Sequence, residues 1–176
     1  MKTVGFLLAF AMFAGLAAGQ QVKWNYDKLA ERASDSVDVN LDGSLLRLAA
    51  KFLSNDDPDQ AKARKLVEGL KGIYVKTFEF KNPGEYSPAD VDALRAQLHS
   101  PDWQRMVGVH SKEEGEDVDV YIKPEAKGIG GLAIIAAEPK ELTLVNIVGP
   151  IDLDSLSELG GHFNIPELEI EKKKKR

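Results

Sequence analysis

The sequence predicts an α+β fold, in which a largely antiparallel sheet carries helices packed on one face. Four strand-like runs follow one another in the C-terminal half, at residues 105–110, 118–123, 131–137 and 142–148. The links between them are too short for parallel crossovers, so we expect an antiparallel meander of four strands. Helical patterns precede this meander, and the whole predicts a single α+β domain over residues 34–168.

One or two further strands are expected before the meander. Val37, Val39 and Leu41 alternate with polar residues, which is the period-two pattern of a half-buried strand that ends at Gly43. Residues 73–80 are rich in β-branched and aromatic side chains and predict a second strand, which the Asn-Pro-Gly turn that follows would end.

The first helical pattern lies at residues 44–53, where apolar residues form two adjacent rows. The first row holds Leu45, Leu48, Ala49 and Phe52, and the second holds Leu46, Ala50 and Leu53. Because an apolar arc this wide is typical of a helix enclosed by its neighbours, we expect this helix to be largely buried.

Two more helices begin at residues that can cap a helix. Asp57 precedes Pro58 and Ser87 precedes Pro88, and a capping side chain followed by proline suits the first turn of a helix. The first of these helices should end near Gly72, and the second near residue 99. Their buried stripes are expected to be Ala63, Leu66, Val67 and Leu70 in the first, and Val91, Leu94 and Leu98 in the second.

A last short helix is expected after Pro150 and Asp152. It would place Leu153, Leu156 and Leu159 on one side, and Gly160-Gly161 would end it.

Composition excludes several classes of protein. With 43% apolar residues the chain is not wholly disordered, and without cysteine it has no disulfide, thiolate zinc site, iron–sulfur cluster or thiol nucleophile. Apart from Lys2 and the five cations of residues 172–176, 17 basic residues stand against 28 acidic ones. Because the rest of the chain is this acidic, nucleic acid is not favoured as a partner.

The N-terminus predicts export. Lys2 is followed by an uncharged, largely apolar run from Val4 to Gly19, which is typical of a cleaved signal peptide in residues 1–19 and is short for a membrane anchor. We expect cleavage after Gly19, with Ala18 as an alternative, and therefore a periplasmic or secreted protein. Residues 20–33 would then form an N-terminal arm or short helix, and residues 169–176 a charged tail.

Acidic clusters suggest two candidate cation sites. Asp38, Asn40, Asp42 and Gly43 match the opening of a calcium loop, but Ala49 stands where the bidentate glutamate belongs, so a strand with a polar face is favoured. Asp56, Asp57 and Asp59 could also collect a cation, although capping and the helix dipole explain them.

Histidine, serine and glycine motifs assign no catalytic chemistry. His99, His110 and His162 have no paired-ligand spacing, and no Gly-x-Ser-x-Gly motif is present. The glycine-rich residues 128–131 precede a strand, whereas phosphate-binding loops precede a helix, so a turn or bulge is expected. No catalytic, cofactor-binding or metal-binding residue is therefore assigned.

Several stretches resemble a bacterial exported family, the domain-of-unknown-function family numbered 4252. The resemblance spans roughly residues 34–166 and lies in the stretches Val-Asp-Val-Asn-Leu-Asp-Gly at 37–43, Phe-Leu at 52–53 with Asp-Pro at 57–58, Leu-Lys-Gly-Ile-Tyr-Val at 70–75 with Phe-Glu-Phe at 78–80, Glu-Pro-Lys-Glu-Leu at 138–142 and Asn-Ile-Val-Gly-Pro-Ile-Asp-Leu at 146–153. It implies export and a small α+β domain but brings no established activity. Many members look like lipoproteins, and this chain departs from that pattern because it has no cysteine.

We therefore expect an exported cell-envelope protein that acts as a non-enzymatic protein-interaction or sensing accessory module. Its partner is expected to be another envelope protein, with no cofactor involved. Two alternatives stay open. One is a metal-independent hydrolase with dispersed catalytic Asp, Glu, His or Ser residues, and the other is a protein that binds an anionic membrane surface through its basic tail.

Overall fold

The structure is a computed structural model that describes residues 21–126 and 128–151. In these residues six strands form one fully antiparallel sheet in the order β1-β2-β6-β5-β4-β3. The strands are β1 (Asp35–Asp42), β2 (Gly72–Glu79), β3 (Gln104–Ser111), β4 (Glu116–Glu125), β5 (Gly128–Ala137) and β6 (Glu141–Ile151), and the helices are α1 (Asp27–Ala30), α2 (Gly43–Ala50), α3 (Pro58–Gly69) and α4 (Pro88–Gln97).

The predicted α+β class and antiparallel meander are confirmed. Strands β3 to β6 are neighbours in chain order, and both predicted N-terminal strands are present as β1 and β2. β2 pairs with β6 along its whole length, from Gly72 opposite Val148 to Glu79 opposite Glu141. This pairing joins the two halves of the chain into one sheet.

The expectation that helices cover only one face of the sheet is wrong. In the register, Phe78 lies opposite Leu142, whereas Ile73 lies opposite Ile147, and these two pairs point to opposite faces because side chains alternate along a strand. Each pair belongs to a separate buried cluster with its own helices. Strand β5 is buried at almost every position, so both of its faces require cover.

The first face, which we call the arm face, carries α1, α4 and the N-terminal arm. Val91, Leu94 and Leu98 are buried against it as predicted. In the arm, which precedes α1, the Val22 N–H donates to Oδ1 of the buried Asn146 at 2.9 Å. Asn146 also donates to the Leu132 carbonyl at 3.1 Å, so this one buried amide joins the arm to two strands.

The opposite face, which we call the helix-pair face, carries α2 and α3. On α2 only the second apolar row faces inward, with Leu46 and Ala50 buried. Leu45, Leu48 and Phe52 are 46%, 51% and 83% exposed, so the prediction of a largely buried helix is wrong. Burying both rows would need cover on two sides of α2, and among the described elements α2 contacts mainly β1 and α3.

The caps predicted for the two proline-initiated helices are confirmed. Asp57 accepts from the Asp59 and Gln60 N–H groups, and these backbone hydrogen bonds lower its pKa. Helix α3 ends at Gly69, before the predicted Gly72, because Gly72 is already the first residue of β2. The four residues expected to form the buried stripe of α3 are only partly buried. Leu70 is buried, Leu66 and Val67 are half-buried, and Ala63 is exposed.

Three further predictions concern residues that the structure does not describe. The signal peptide, the helix expected after Pro150 and the charged tail all lie outside the part of the chain that the structure describes. Within residues 21–126 and 128–151, no helix is both long and apolar enough to cross a membrane.

The start of α4 is held to the N-terminal region by an ion pair. Asp90 Oδ2 accepts from the Ser87 N–H at 2.8 Å, as in a capping box, and also from the Ser87 hydroxyl at 2.9 Å. Arg32 donates to both Asp90 oxygens, at 2.8 and 3.2 Å. The Arg32 guanidinium first, and then the Ser87 donors, lower the pKa of Asp90 to about 2.

Asp90→Asn is expected to lower the free energy of unfolding by about 1 kcal/mol at pH 7, since it weakens a cap and a partly exposed ion pair. Because the folded-state pKa lies below the unfolded one, the contribution of the charged form is present above about pH 4 and is lost as the pH falls toward 2. Urea unfolding from pH 7 to pH 2 checks this. Asp35→Asn, at an exposed carboxylate on β1, is the control, and a constant difference between Asp90→Asn and the parent across this range would contradict the assignment.

Candidate functional site

Five charged or titratable side chains on the arm face contact one another and form what we call the charged cluster. Arg95 comes from α4, Arg105 and His110 from β3, and Asp117 and Asp119 from β4. In β4 the two aspartates alternate with valines, so both carboxylates point to the arm face while the valines point to the other. Helix α4 packs on the same face and brings Arg95 to them.

Asp119 is the centre of the charged cluster and is 0% exposed. Arg95 Nε lies 2.5 Å from Asp119 Oδ2, and Arg105 Nη2 forms an ion pair with Oδ1 of the same carboxylate. Arg95 Nη2 lies 2.5 Å from Asp117 Oδ2. Two guanidinium groups therefore neutralise two carboxylates, which is the condition under which a buried charge is tolerated.

Arg95 is held on three sides, because its Nη1 also lies 2.8 Å from Asp92 Oδ1 on the same helix. Burial alone would lower the pKa of Arg95. Its hydrogen bonds to Asp117, Asp92 and Asp119 outweigh burial and raise that pKa above the usual arginine range. Arg95 is thus a permanently charged link between α4 and β4.

The position of Arg105 depends on a glycine and a bulge. The β3–β4 register shifts between Arg105 and Val107, which is the mark of a β-bulge. The Arg105 guanidinium lies over Gly108, where a Cβ atom would collide with it. A side chain at residue 108 would therefore displace Arg105 from Asp119.

His110 lies at the exposed edge of the charged cluster. Its Nδ1 is 2.6 Å from Asp117 Oδ1, and its Nε2 is 3.1 Å from Arg105 Nη2. Since arginine can only donate, Nε2 accepts this hydrogen bond, and we assign the proton to Nδ1, which lies against the Asp117 carboxylate. Both ring nitrogens of His110 are therefore engaged within the protein.

The charged cluster contains three groups that could ligate a metal. One donor atom from each of His110, Asp117 and Asp119 lies within 4.8 Å of the other two. Arg105 and Arg95 already neutralise the two carboxylates, however, so a cation would have to displace a guanidinium. The donor set fits an internal ion-pair network better than it fits a metal, and we assign no metal to it.

The calcium-loop pattern does not form a loop. Asp38 and Asn40 lie in β1, where Asn40 donates to Asp38 Oδ1 at 2.6 Å and Lys76 lies 3.3 Å from Asp38 Oδ2. Asp42 instead caps α2 through the Ser44 and Leu45 N–H groups. The favoured prediction of a strand with a polar face is confirmed.

The structure also shows where the glycine-rich residues 128–131 and His99 lie. Residues 128–131 contain a register shift and begin β5, as the predicted bulge requires, with Gly128 at φ +117°. His99 is exposed just after α4, and His162 lies outside the described residues. Sequence analysis missed the charged cluster, although the alternation of Asp117 and Asp119 with valines was a usable signal that they share one face.

Residues 26–159 match the model of the family described as Domain of unknown function (DUF4252). The chain belongs to this family. The matched segment contains all six strands and the whole charged cluster. No curated protein matches the chain. The resemblance found in the sequence is thereby confirmed, and membership of DUF4252 assigns a fold family without an activity.

Asp119→Ala is expected to lower the free energy of unfolding by about 3–5 kcal/mol, because the largely buried Arg95 would lose a fully buried ion-pair partner. Asp92→Ala removes a 68% exposed partner of the same arginine and should cost less than about 1 kcal/mol. Urea unfolding of both variants measures the difference. Equal losses would show that burial of Asp119 does not set its importance.

Proposed function

We propose that this member of DUF4252 is an exported, non-enzymatic protein-interaction module of the cell envelope, and that helix α2 carries its docking surface. The observation that carries this proposal is the outer apolar row of α2, which continues to Phe52, two residues after the helix ends. Leu45, Leu48, Ala49 and Phe52 form this row, which we call the α2 surface.

The α2 surface concentrates apolar area that the rest of the described surface lacks. Five large apolar side chains are markedly exposed in the described residues, and Leu45, Leu48 and Phe52 are three of them. Scattered exposed apolar residues are ordinary, but a contiguous group is typical of interaction sites. Covering one such side chain contributes about 1.5–3 kcal/mol, so this row can supply the central contacts of an interface.

The partner that fits the α2 surface is an amphipathic helix of another protein. The row runs along about two turns of α2, which is the length over which a partner helix presents apolar residues at positions i, i+3 and i+7. Arg47 and Lys51 lie beside Leu48 on one flank of the row. We therefore infer that the partner helix carries Asp or Glu beside its apolar residues.

Charge argues for a protein rather than a membrane as the partner. An anionic bilayer would attract Arg47 and Lys51, but the body of the chain has 11 more acidic than basic residues when Lys2 and residues 172–176 are set aside. That excess repels an anionic surface at long range. A partner helix needs only the local charges of the α2 surface.

Two further features support the proposal. The leader at residues 1–19 supports export. The charged cluster supports a non-enzymatic role, because its carboxylates are paired with arginines and both nitrogens of His110 already have partners.

The direct experiment places a photo-crosslinking amino acid at residue 52 of the protein in its native cell. We expect one dominant crosslinked envelope protein, with the crosslinked peptide lying in an amphipathic helix that carries acidic residues. The same amino acid at residue 106, whose native Met106 is 37% exposed on β3, is the matched control. Equal capture of the same protein from both positions would contradict the assignment of the docking surface to α2.

Leu48→Glu is expected to weaken binding of the identified, purified partner at least about tenfold, since it places a charge at the centre of the α2 surface. The free energy of unfolding should change by less than about 0.5 kcal/mol, because Leu48 is half exposed and glutamate is a good helix former. Calorimetry and urea unfolding measure the two quantities. Met106→Gln should alter neither, and an unchanged affinity for Leu48→Glu would sink the proposal.

A hydrolase is the second candidate, and the His110–Asp117 contact is the observation that favours it. A carboxylate on Nδ1 is how many general bases are oriented, and Nε2 would then accept a proton if Arg105 moved aside. We expect no turnover of phosphate and carboxylate esters. Turnover that His110→Gln abolishes and His99→Gln preserves would replace the first proposal with this one.

A further inference from the structure

We propose that the outer edge of β1 binds an extended segment of a partner protein as an added strand, and that this segment alternates apolar residues with Lys or Arg. The edge is the row of backbone N–H and C=O groups of β1 that faces away from β2, and we call it the β1 edge. In the part of the chain that the structure describes, no strand pairs with it. The β1 edge is distinct from the α2 surface, and this inference does not depend on the function proposed above.

The hydrogen bonds of β2 determine which residues of β1 present backbone groups at the β1 edge. The Phe80 N–H, just after β2, donates to the Lys140 carbonyl, just before β6, at 2.8 Å. Because successive residues of a strand bond to alternate sides, even-numbered residues of β2 bond to β6 and odd-numbered residues bond to β1. The register places odd-numbered residues of β1 opposite odd-numbered residues of β2. The N–H and C=O groups of Ser36, Asp38 and Asn40 therefore point away from the sheet.

The two edges of the sheet differ in how readily another strand can pair with them. β1 pairs with β2 through eight consecutive residues without a register shift. β3, at the opposite edge, has its bulge between Arg105 and Val107. Bulges, proline and lysine are among the features that keep edge strands from pairing, and residues 35–42 contain none of the three. β1 is therefore the edge that a further strand can extend in register.

The side chains of β1 determine which sequence fits the β1 edge. Val37 is 50% exposed and shares the helix-pair face with Val39 and Leu41, which are half-buried. An added strand places every second side chain beside this row, so we expect those side chains to be apolar. On the arm face, the Asp38 side chain stays 45% exposed although Lys76 Nζ lies 3.3 Å from its Oδ2. Its carboxylate can therefore accept a second cation, from a Lys or Arg of the added strand.

Charge favours a basic segment over a second copy of this chain. β1 carries the carboxylates of Asp35, Asp38 and Asp42 and no cation. Pairing of two copies through β1 would double this number along one pair of strands, and like charges on neighbouring strands are destabilising. A basic segment has the opposite charge. The excess of 11 acidic residues, counted without Lys2 and residues 172–176, also attracts such a segment at long range.

The probe is a synthetic peptide of eight residues, the length of β1, in which Lys and Val alternate. We expect saturable binding to the protein purified from its native cell. Amide exchange measured residue by residue by NMR should become slower at Ser36, Asp38 and Asn40 when the peptide binds. It should stay unchanged at Val37 and Val39, whose N–H groups already donate to β2. A peptide with the same residues in two blocks is the matched control and should not give this alternating pattern.

Asp38→Pro is expected to weaken binding of the alternating peptide at least about tenfold more than Asp38→Ala does. Both variants lose the carboxylate, but only proline removes the outward N–H and places its ring on the β1 edge. Calorimetry measures both affinities. Proline is tolerated in an edge strand where the N–H faces solvent, so both variants should keep the fold. If Asp38→Pro does not fold, the exchange pattern of the unsubstituted chain decides the question.

Three outcomes would overturn the proposal. Absence of saturable binding, or equal affinity of Asp38→Pro and Asp38→Ala, would mean that the β1 edge does not bind a basic strand. New protection at residues 104–111 instead of β1 would place the added strand on β3. Protection of Ser36, Asp38 and Asn40 that is present without peptide and disappears on dilution would mean that a second copy of the chain occupies the β1 edge.

Discussion

The structure depends on the pairing of β6 with β2. It brings residues 72–79 against residues 141–148, and it joins the N-terminal strands to the meander in one sheet. A pairing between segments this far apart in sequence has a large loop-closure entropy, which apolar burial on both faces must offset. Phe78 opposite Leu142 contributes to one core, and Ile73 opposite Ile147 contributes to the other. Both helical layers follow from this requirement.

The sequence predicted the elements better than their arrangement. Strand alternation at Val37 to Leu41 and the caps at Asp57 and Ser87 are local signals, and the structure has all of them. The single helical layer was the main error, yet the apolar run of β5 contained the correction. Strands buried on both faces have continuous apolar runs, and residues 131–137 form such a run without a polar side chain.

Helix α2 shows what the pattern of one helix cannot decide. Two adjacent apolar rows satisfy the same periodicity, and only the position of β1 and α3 selects Leu46 and Ala50 as the inner row. The charged cluster has a similar origin, because the pairing of β3 with β4 and the packing of α4 bring together residues 95, 105, 110, 117 and 119. No local motif contains these residues. The alternation of side chains along a strand, however, is enough to predict that Asp117 and Asp119 lie on one face of β4.

The two notable surfaces of this DUF4252 member thus have opposite physical character. The charged cluster is neutralised within the protein and fixes α4 to β3 and β4, while the α2 surface leaves large apolar side chains in water. We propose that the second of these is the functional surface. Backbone hydrogen exchange of the chain with and without its purified crosslinking partner tests this most directly. We expect new protection in residues 43–53 and unchanged exchange in residues 104–119. Protection confined to β3 and β4 would contradict it and would move the functional site to the charged cluster.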